Sequence, residues 1–228
     1  MRAIAVAGDA SVDEAVLAAQ ARPGLVGRPL VSEVSCSRSY VFSDSGVARI
    51  AVVDYGCKRS ILQRLAAAGA AVTVFPHSAR VRDLHTFDGI LLSNGPGDPE
   101  PLHDEVETVR ALLGRVPMLG ICLGHQLLAL ATGHETYKLP FGHRGANHPV
   151  LDKRSDRVLV TSQNHGFAVR ASAAKEVTHV SLYDGTVEGL DFPWLRARSV
   201  QFHPEAGPGP HDAWPILETW VAEVADAA

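Results

Sequence analysis

Strand-like and helix-like segments alternate along the middle of the chain, and this order limits the folds that are available to it. Four runs of consecutive apolar residues predict strands, at residues 48–53, 71–75, 89–92 and 117–121. Three segments with apolar residues at helical spacing follow or separate these runs, at residues 58–68, 103–113 and 123–131. Continuously apolar strands are typical of parallel sheets that are covered on both faces. The pattern therefore predicts an α/β protein with an open, mostly parallel, doubly wound sheet.

The sequence changes character on both sides of this region. After residue 133, short apolar runs between turns predict a mixed or antiparallel extension of the sheet, at residues 158–161, 177–182, 187–190 and 198–202. A final helix is predicted at residues 213–224. The N-terminal part predicts one strand at residues 4–7 and one helix at residues 12–21, too little to hold a hydrophobic core. We therefore divide the chain into an N-terminal segment with a linker, residues 1–46, and a domain, residues 47–228.

Charge and composition exclude several classes of function. The 228 residues include 21 Lys and Arg against 25 Asp and Glu, a formal charge of −4, with no basic run that would suit nucleic acid. No apolar stretch is long enough for a membrane span, and the first residues do not read as a signal peptide. The three cysteines form neither a disulfide framework nor a metal-ligand spacing. A reducing cytoplasm is the expected compartment.

The segment Gly120-Ile121-Cys122-Leu123-Gly124 has the form G-x-C-x-G and lies between a predicted strand and a predicted helix. This is the context of a nucleophile elbow, with cysteine in the place of serine. The glycines permit a sharp turn that projects the Cys122 side chain, and the N-terminus of the following helix favours its thiolate. The alternative is a buried structural cysteine, which would not require two flanking glycines at a strand–helix junction. We predict that Cys122 is a nucleophile.

A thiolate nucleophile needs a general base, and the base needs a group that orients it. The segment His203-Pro204-Glu205 follows the predicted strand at residues 198–202. In extended backbone, residues i and i+2 point to the same side, so Glu205 can reach the imidazole of His203. A carboxylate in that position fixes the tautomer and stabilises the imidazolium. The alternative is an ordinary turn at a strand end, and His125 and His165 are then the other candidate bases.

A turn-rich loop, Asn94-Gly95-Pro96-Gly97-Asp98-Pro99, follows the predicted strand at residues 89–92. Open α/β sheets bind their ligands at the carboxyl ends of parallel strands. Glycine lets a backbone N–H approach a ligand, and one such N–H together with that of Leu123 would form an oxyanion hole. The alternative is a plain loop in which Asp98 caps the next helix. The segment does not match a phosphate-binding P-loop.

Two histidines, His143 and His148, lie close together in a glycine-containing segment and raise the question of a metal site. Neither has a carboxylate or a thiol at a matching spacing along the chain. We therefore expect no metal ion and no cofactor on this chain.

Together these residues resemble the class I, or triad, glutamine amidotransferases, whose hallmarks are a Gly-x-Cys-x-Gly elbow and a later His-Pro-Glu. Within that family, the similarity narrows to the small subunits of carbamoyl-phosphate synthase. The more particular segments are Gly145-Ala146-Asn147-His148-Pro149, Asn164-His165-Gly166-Phe167 and Pro208-Gly209-Pro210-His211-Asp212. The resemblance extends from about residue 48 to the C-terminus.

The resemblance implies a role for each matching residue. Cys122 would attack the side-chain amide carbon of L-glutamine, His203 would protonate the leaving ammonia and then activate water, and Glu205 would orient His203. The family's glutamine-binding positions correspond to Gly95, Gly97, Leu123, Gln126, Asn164, Gly166 and Phe167. The thioester on the cysteine would then be hydrolysed to glutamate.

The resemblance also implies a partner protein. In this family the ammonia passes to a large synthetase subunit, which holds ATP and magnesium and makes carbamoyl phosphate. Two alternatives stay open: an amidotransferase subunit of another synthase, of the anthranilate or aminodeoxychorismate type, and a non-catalytic assembly module. The more particular segments argue against the first alternative, and the intact set of cysteine, histidine and glutamate argues against the second.

One departure from the family concerns the N-terminal segment. The family's small subunit has a whole domain there, and residues 7–35 resemble only its last part. A serine that the family places near the glutamine has no counterpart. A late start codon and a naturally short paralogue are the two explanations, and both leave docking to a large subunit open.

Overall fold

A computed structural model describes residues 3–171 and 175–227, and that part of the chain contains one ten-stranded sheet. The strands are β1 (Tyr40–Ser43), β2 (Ala48–Asp54), β3 (Ala70–Pro76), β4 (Gly89–Leu92), β5 (Met118–Ile121), β6 (Glu135–Asp152), β7 (Arg157–Arg170), β8 (Val177–Ser181), β9 (Val187–Phe192) and β10 (Ala197–Val200). Their order across the sheet is β1-β3-β2-β4-β5-β10-β9-β7-β6-β8.

The helices agree closely with the periodicity of the sequence. They are α1 (Val12–Ala21), α2 (Val31–Val34), α3 (Arg59–Ala67), α4 (Val81–Leu84), α5 (His103–Leu112), α6 (Leu123–Ala131) and α7 (Trp214–Asp226), with a short 3₁₀ helix at Pro193–Leu195. The five longer helices that the sequence predicts are all confirmed, with only small differences at their ends. Within the described residues, none of the helices combines the length and the apolar character that crossing a bilayer requires.

Five neighbouring strands, β3, β2, β4, β5 and β10, are joined by parallel pairings. Alternate residues of these strands enter different cores. Ala51 and Val53 of β2 belong to the core that contains the apolar faces of α5 and α6. Ile50 and Val52 belong to the core that contains those of α3 and α7. Helices therefore cover both faces of this part of the sheet, which explains why its strands are apolar at most positions.

The rest of the sheet is antiparallel. Strands β9, β7, β6 and β8 pair in this way beyond β10, and β1 pairs antiparallel with β3 at the opposite edge. The predicted α/β class and the predicted antiparallel extension are therefore confirmed. A mostly parallel sheet is wrong, because half of the strands have only antiparallel partners. The physical reason is that the chain after α6 returns through hairpins and not through crossover helices.

Strand β6 is the largest element that the sequence did not predict. It forms a long hairpin with β7, yet it contains two prolines and two glycines, which are poor strand formers. Its pairing is irregular between Lys138 and His143 and again between Gly145 and His148. The tertiary pairing with β7 therefore overrides the local preference.

The predicted strand at residues 4–7 is wrong. Residues 3–10 contain no strand, and Ile4 and Val6 are exposed, because no strand edge lies beside them. Helix α1 is present and begins with a capping box between Ser11 and Glu14, but it buries no residue. The helix therefore forms its own hydrogen bonds, but its apolar side chains are not buried against the rest of the described structure.

The chain joins the domain from about residue 27 onward. The N–H of Gly27 donates to Asp98 Oδ2 at 2.8 Å, and the N–H of Cys36 donates to Asp54 Oδ2 at 2.8 Å. Val31 is buried in the core beneath α5 and α6. Strand β1, which was not predicted, then adds an edge to the sheet. These contacts fix the backbone beside the loop that follows β4.

Candidate active site

Cys122 lies at the junction of β5 and α6, with a φ of 55° and a ψ of −101°. A positive φ is uncommon for a residue other than glycine and stores backbone strain. The two flanking glycines make room for this turn. A Cβ on Gly120 would lie 2.5 Å from the carbonyl oxygen of Gly124, and a Cβ on Gly124 would lie 2.1 Å from that of Leu92. The backbone therefore has the geometry of the predicted elbow.

His203 and Glu205 follow β10, the strand that pairs with β5. His203 Nδ1 lies 2.7 Å from Glu205 Oε1, as the i, i+2 relation predicts. Since a carboxylate accepts the hydrogen bond, Nδ1 carries the proton. The imidazole also lies near Cys122, and the two side chains line the same cavity. The structure therefore brings the three predicted catalytic residues together, and all three are buried.

The charges of these three residues support one another. Burial lowers the pKa of His203, but the charge of Cys122 and the hydrogen bond and charge of Glu205 outweigh burial and raise this pKa well above its usual value. Burial raises the pKa of Glu205, but the hydrogen bond and charge of His203, with the charge of Lys58, hold it below its usual value. A histidine that lies between a cysteine and a carboxylate is the arrangement of a cysteine that can be activated as a nucleophile.

Lys58 is a site residue that the sequence reasoning missed. Its Nζ lies 2.9 Å from Glu205 Oε1 and donates to the carbonyl oxygen of Ala206 at 2.7 Å. Its backbone N–H donates to Asn94 Oδ1, so the start of α3 is tied to the loop after β4. The available signal was its position just after the carboxyl end of β2, at the edge where such sheets bind ligands.

A cavity of about 680 Å³ opens beside Cys122 and His203. The predicted glutamine-binding residues that line it are Gly95, Gly97, Gln126, Asn164, Gly166 and Phe167. Leu123 and Glu205 do not line it, since the Leu123 side chain is in the core and Glu205 lies behind His203. The role predicted for Leu123 involves only its backbone N–H.

The loop after β4 shapes one wall of this cavity. A Cβ on Gly95 would lie 2.2 Å from the carbonyl oxygen of Tyr55, so glycine is required there by close approach. Gly97 has a φ of +97°, which L side chains rarely adopt. Asp98 accepts from the N–H groups of Gly27 and Glu100 and does not cap α5, whose N-cap residue is Leu102 and which has no side-chain cap. The loop is thus a fixed element of the site.

Gln126 connects the elbow helix to the opposite wall. Its Nε2 donates to the carbonyl oxygen of Phe167 and to Gln201 Oε1, both at 3.0 Å. These residues are buried, so the contacts hold β7 and the residue after β10 against α6. Gln126 therefore positions the cavity wall as well as lining it.

The two other candidate bases have different surroundings. His125 is fully buried, its Nδ1 lies 2.8 Å from Ser199 Oγ, and burial lowers its pKa to about 3. His165 Nδ1 lies 2.7 Å from the carbonyl oxygen of Phe167. His203 is the histidine that pairs with both Cys122 and Glu205, so it is the better candidate for the base.

Three other buried residues, His143, His165 and Glu188, place possible metal-ligand atoms within 4.8 Å of one another. They come from β6, β7 and β9. The expectation of no metal rested on spacing along the chain, which does not reveal that the fold brings Glu188 to these histidines.

Comparison with known proteins gives concordant results. A family model described as glutamine amidotransferase class-I matches residues 51–221. The carbamoyl phosphate synthase small chain of Syntrophotalea carbinolica is 48% identical over 229 residues, covering 92% of this chain and 61% of that one. The small chain of Methanopyrus kandleri is 50% identical over 206 residues, covering 88% and 57%. This chain thus spans about three fifths of the length of these relatives.

Solved structures agree with the fold. A protein from Thermoplasma acidophilum that is described as a candidate GMP synthase subunit superposes with a TM-score of 0.67 at 21% identity, covering 79% of this chain and 96% of that one. A glutamine amidotransferase from Thermotoga maritima gives a TM-score of 0.59 at 16% identity, covering 78% and 94%. At these identities the likeness shows a shared fold alone.

Proposed function

Since the chain belongs to the class-I glutamine amidotransferase family, we propose that it hydrolyses L-glutamine to glutamate and ammonia through a thioester on Cys122. One observation carries the proposal. A strained elbow presents Cys122 to an imidazole that is held by Glu205 at 2.7 Å, at the edge of a cavity. This is the nucleophile, base and orienting group that acyl transfer requires.

In the first half-reaction, the Cys122 thiolate attacks the side-chain amide carbon of glutamine. The negative charge that develops on the amide oxygen needs hydrogen-bond donors, and the backbone N–H groups of Leu123 and Gly95 are the candidates. His203, as imidazolium, gives its proton to the leaving nitrogen. The carbon–nitrogen bond breaks, ammonia leaves, and a glutamyl thioester remains on Cys122.

In the second half-reaction, the now neutral His203 takes a proton from a water molecule, which attacks the thioester carbon. The carbon–sulfur bond breaks, glutamate leaves, and Cys122 returns to the thiolate beside imidazolium. Glu205 and Lys58 keep their charges throughout. Their role is to hold the imidazole in one tautomer and one orientation.

Glutamine would occupy the cavity that opens beside Cys122. Gly95 and Gly97 form one wall and Asn164, Gly166 and Phe167 form another, while Gln126 lies between them. Because glycine lets a backbone N–H approach a ligand, this wall would suit the α-carboxylate of an amino acid. No cofactor is required for either half-reaction.

We further propose that the ammonia serves a carbamoyl phosphate synthase large chain, which would hold ATP and magnesium. Identities near 50% to carbamoyl phosphate synthase small chains support this assignment over an anthranilate or aminodeoxychorismate type. We keep the division into residues 1–46 and 47–228 as a proposal that the exposed α1 supports, with Val31 and β1 of the first segment packed on the domain. The intact catalytic set argues against a purely structural module.

The decisive experiment measures glutamate release from glutamine by the purified chain, with and without a carbamoyl phosphate synthase large chain. Cys122→Ser serves as the blank. Cys122-dependent release that rises with the large chain supports both proposals. Release without stimulation supports the glutaminase but removes that partner, and no release in either case contradicts the glutaminase.

A further inference from the structure

Three side chains from neighbouring strands converge outside the proposed catalytic triad. His143 Nδ1 lies 3.2 Å from Glu188 Oε1, and His165 Nε2 lies 3.8 Å from the same oxygen. All three residues are buried, and Glu188 is fully so. A buried carboxylate that faces two imidazoles requires a compensating positive charge, which either a proton or a metal ion can supply.

His165 presents an unused lone pair to this cluster. Its Nδ1 lies 2.7 Å from the carbonyl oxygen of Phe167, and a carbonyl can only accept, so Nδ1 carries the proton. In the neutral imidazole, Nε2 is then the nitrogen without a proton. It is buried, has no hydrogen-bond partner and faces Glu188. An imidazole held in this way by a backbone carbonyl is the usual state of a metal-ligating histidine.

The other two residues are oriented in the same manner. His143 Nε2 lies 2.9 Å from Asp184 Oδ2, which leaves Nδ1 facing Glu188. Glu188 Oε2 accepts a hydrogen bond from Gln163 Nε2 at 2.8 Å, which leaves Oε1 facing both histidines. In each of the three side chains, one atom faces the cluster and a second atom forms a hydrogen bond that fixes the orientation of the side chain. Metal ligands in proteins usually have such a second hydrogen bond.

We propose that His143 Nδ1, His165 Nε2 and Glu188 Oε1 bind one divalent cation of the zinc type, with water as the fourth ligand. Zinc bonds of ~2.0–2.2 Å in tetrahedral geometry place ligand atoms roughly 3.3–3.6 Å apart. The two separations that involve Glu188 Oε1, 3.2 and 3.8 Å, bracket that range, and all three ligand atoms lie within 4.8 Å of one another. Two imidazoles and one carboxylate form a donor set that favours zinc over magnesium or calcium. The cation replaces the proton between His143 and Glu188, which leaves to solvent.

The place of this cluster suggests what the cation does. His165 belongs to β7 and lines the cavity together with its neighbours Asn164 and Gly166. A cation there would join β7 to β6 and β9 at the cavity wall. It would hold that wall in position without contacting the reacting atoms, and its binding can be measured without glutamine.

The test is a titration of the untagged full chain with Zn²⁺, followed by calorimetry, in a Cys122→Ser background that removes the competing thiolate. We expect one equivalent to bind, and Co²⁺ in its place to give the visible absorption of tetrahedral coordination. Glu188→Gln is nearly isosteric and removes the charged ligand, so we expect affinity to fall ~100-fold or more. Asp184→Asn removes an outer partner and should lower affinity by ~10–100-fold.

His148→Asn is the matched control. Its ring lies 5.4 Å from that of His143, but its Nε2 is directed to the carbonyl oxygen of Arg144, so affinity should stay within about twofold. If Glu188→Gln fails to fold, the zinc affinity of Asp184→Asn tests the proposal. Asp184 is partly exposed, so its substitution should leave the fold intact. Absence of micromolar binding in the parent, or equal affinity in the parent and Asp184→Asn, would overturn the proposal and leave a proton-bridged cluster.

Discussion

At the scale of single residues, the chemistry proposed here depends on three side chains that act as a unit. None of these three residues, Cys122, His203 and Glu205, can perform its proposed catalytic role without the other two. The His203–Glu205 hydrogen bond and the opposite charges shift the pKa values of His203 and Glu205 in the directions that keep both ionised. Substitutions in such a unit are strongly non-additive.

Replacing Cys122 with serine should lower glutamine hydrolysis by ~10⁴-fold or more while the fold is retained, because a hydroxyl is a poor nucleophile beside an imidazolium. Glutamate release and thermal unfolding are the two measurements. His203→Asn should cause a similar loss, and the double variant should lose little more than either single one. Independent, multiplying effects would contradict the assignment of these residues to one unit.

Lys58→Met should reduce activity less severely, and its signature is in the pH profile. Burial raises the pKa of Glu205, and His203 and Lys58 together lower it. Removal of the ammonium therefore raises this pKa, so the carboxylate is lost at a higher pH as the solution is acidified. We expect the acidic limb of the kcat/KM profile to move to higher pH.

Lys58→Arg is the control for this prediction, because it keeps the charge at the same position. Its acidic limb should stay near that of the parent. An unchanged acidic limb in Lys58→Met, with activity equally reduced in both variants, would mean that Lys58 acts by packing alone.

At the scale of elements, the strand–turn–helix of β5, Cys122 and α6 depends on glycine for reasons of space. A Cβ on Gly124 would meet the backbone of β4, which cannot move without disturbing the sheet. Gly124→Ala should therefore destabilise the protein by about 3 kcal/mol or more, at or above the usual range for overpacking. Urea unfolding followed by circular dichroism gives this value.

Gly114→Ala, at a glycine outside the elbow, is the comparison variant for Gly124→Ala. Gly114 has a φ of +76°, but a Cβ added there would have nothing within 4 Å, so only backbone strain opposes alanine. We expect a loss of about 1–2 kcal/mol. A loss at Gly124 no greater than at Gly114 would show that the elbow has more space than the structure indicates.

The elements that the sequence predicted are those with strong local signals. The four apolar runs and the helices that follow them form as expected, since each is defined by the period of its own residues. Strands β1 and β6 were missed because their pairing partners, distant in sequence for β1, override a weak local preference. The same distinction holds at the site. The elbow and the His203–Glu205 pair are local, whereas Lys58 and the cluster around Glu188 are assembled only by the fold.

At the scale of the whole molecule, the three thiols lie in different surroundings. Cys122 lines the cavity. Burial, with the charge of Asp54, raises the pKa of Cys36 to about 11 and raises that of Cys57 further. Both of these thiols therefore stay protonated near neutral pH, and the thiolate is the reactive form.

Iodoacetamide at pH 7.5 should therefore modify Cys122 and leave Cys36 and Cys57 intact, and saturating glutamine should slow the reaction. Peptide mass spectrometry after brief exposure measures this directly. Cys122→Ser provides the matched control, which should take up no label over the same time. Faster labelling of Cys36 than of Cys122 would contradict the description of the site.

The pairing of β5 with β10 has a consequence for motion. Ile121 and Val200 are register partners, and the N–H of Cys122 donates to the carbonyl oxygen of Val200 at 2.9 Å. The nucleophile and its base thus follow two paired neighbouring strands in the centre of the sheet. No loop has to close to bring them together. Amide hydrogens in such central strands exchange with solvent only when the whole domain opens. We therefore expect the Cys122 amide to be among the slowest to exchange with deuterium.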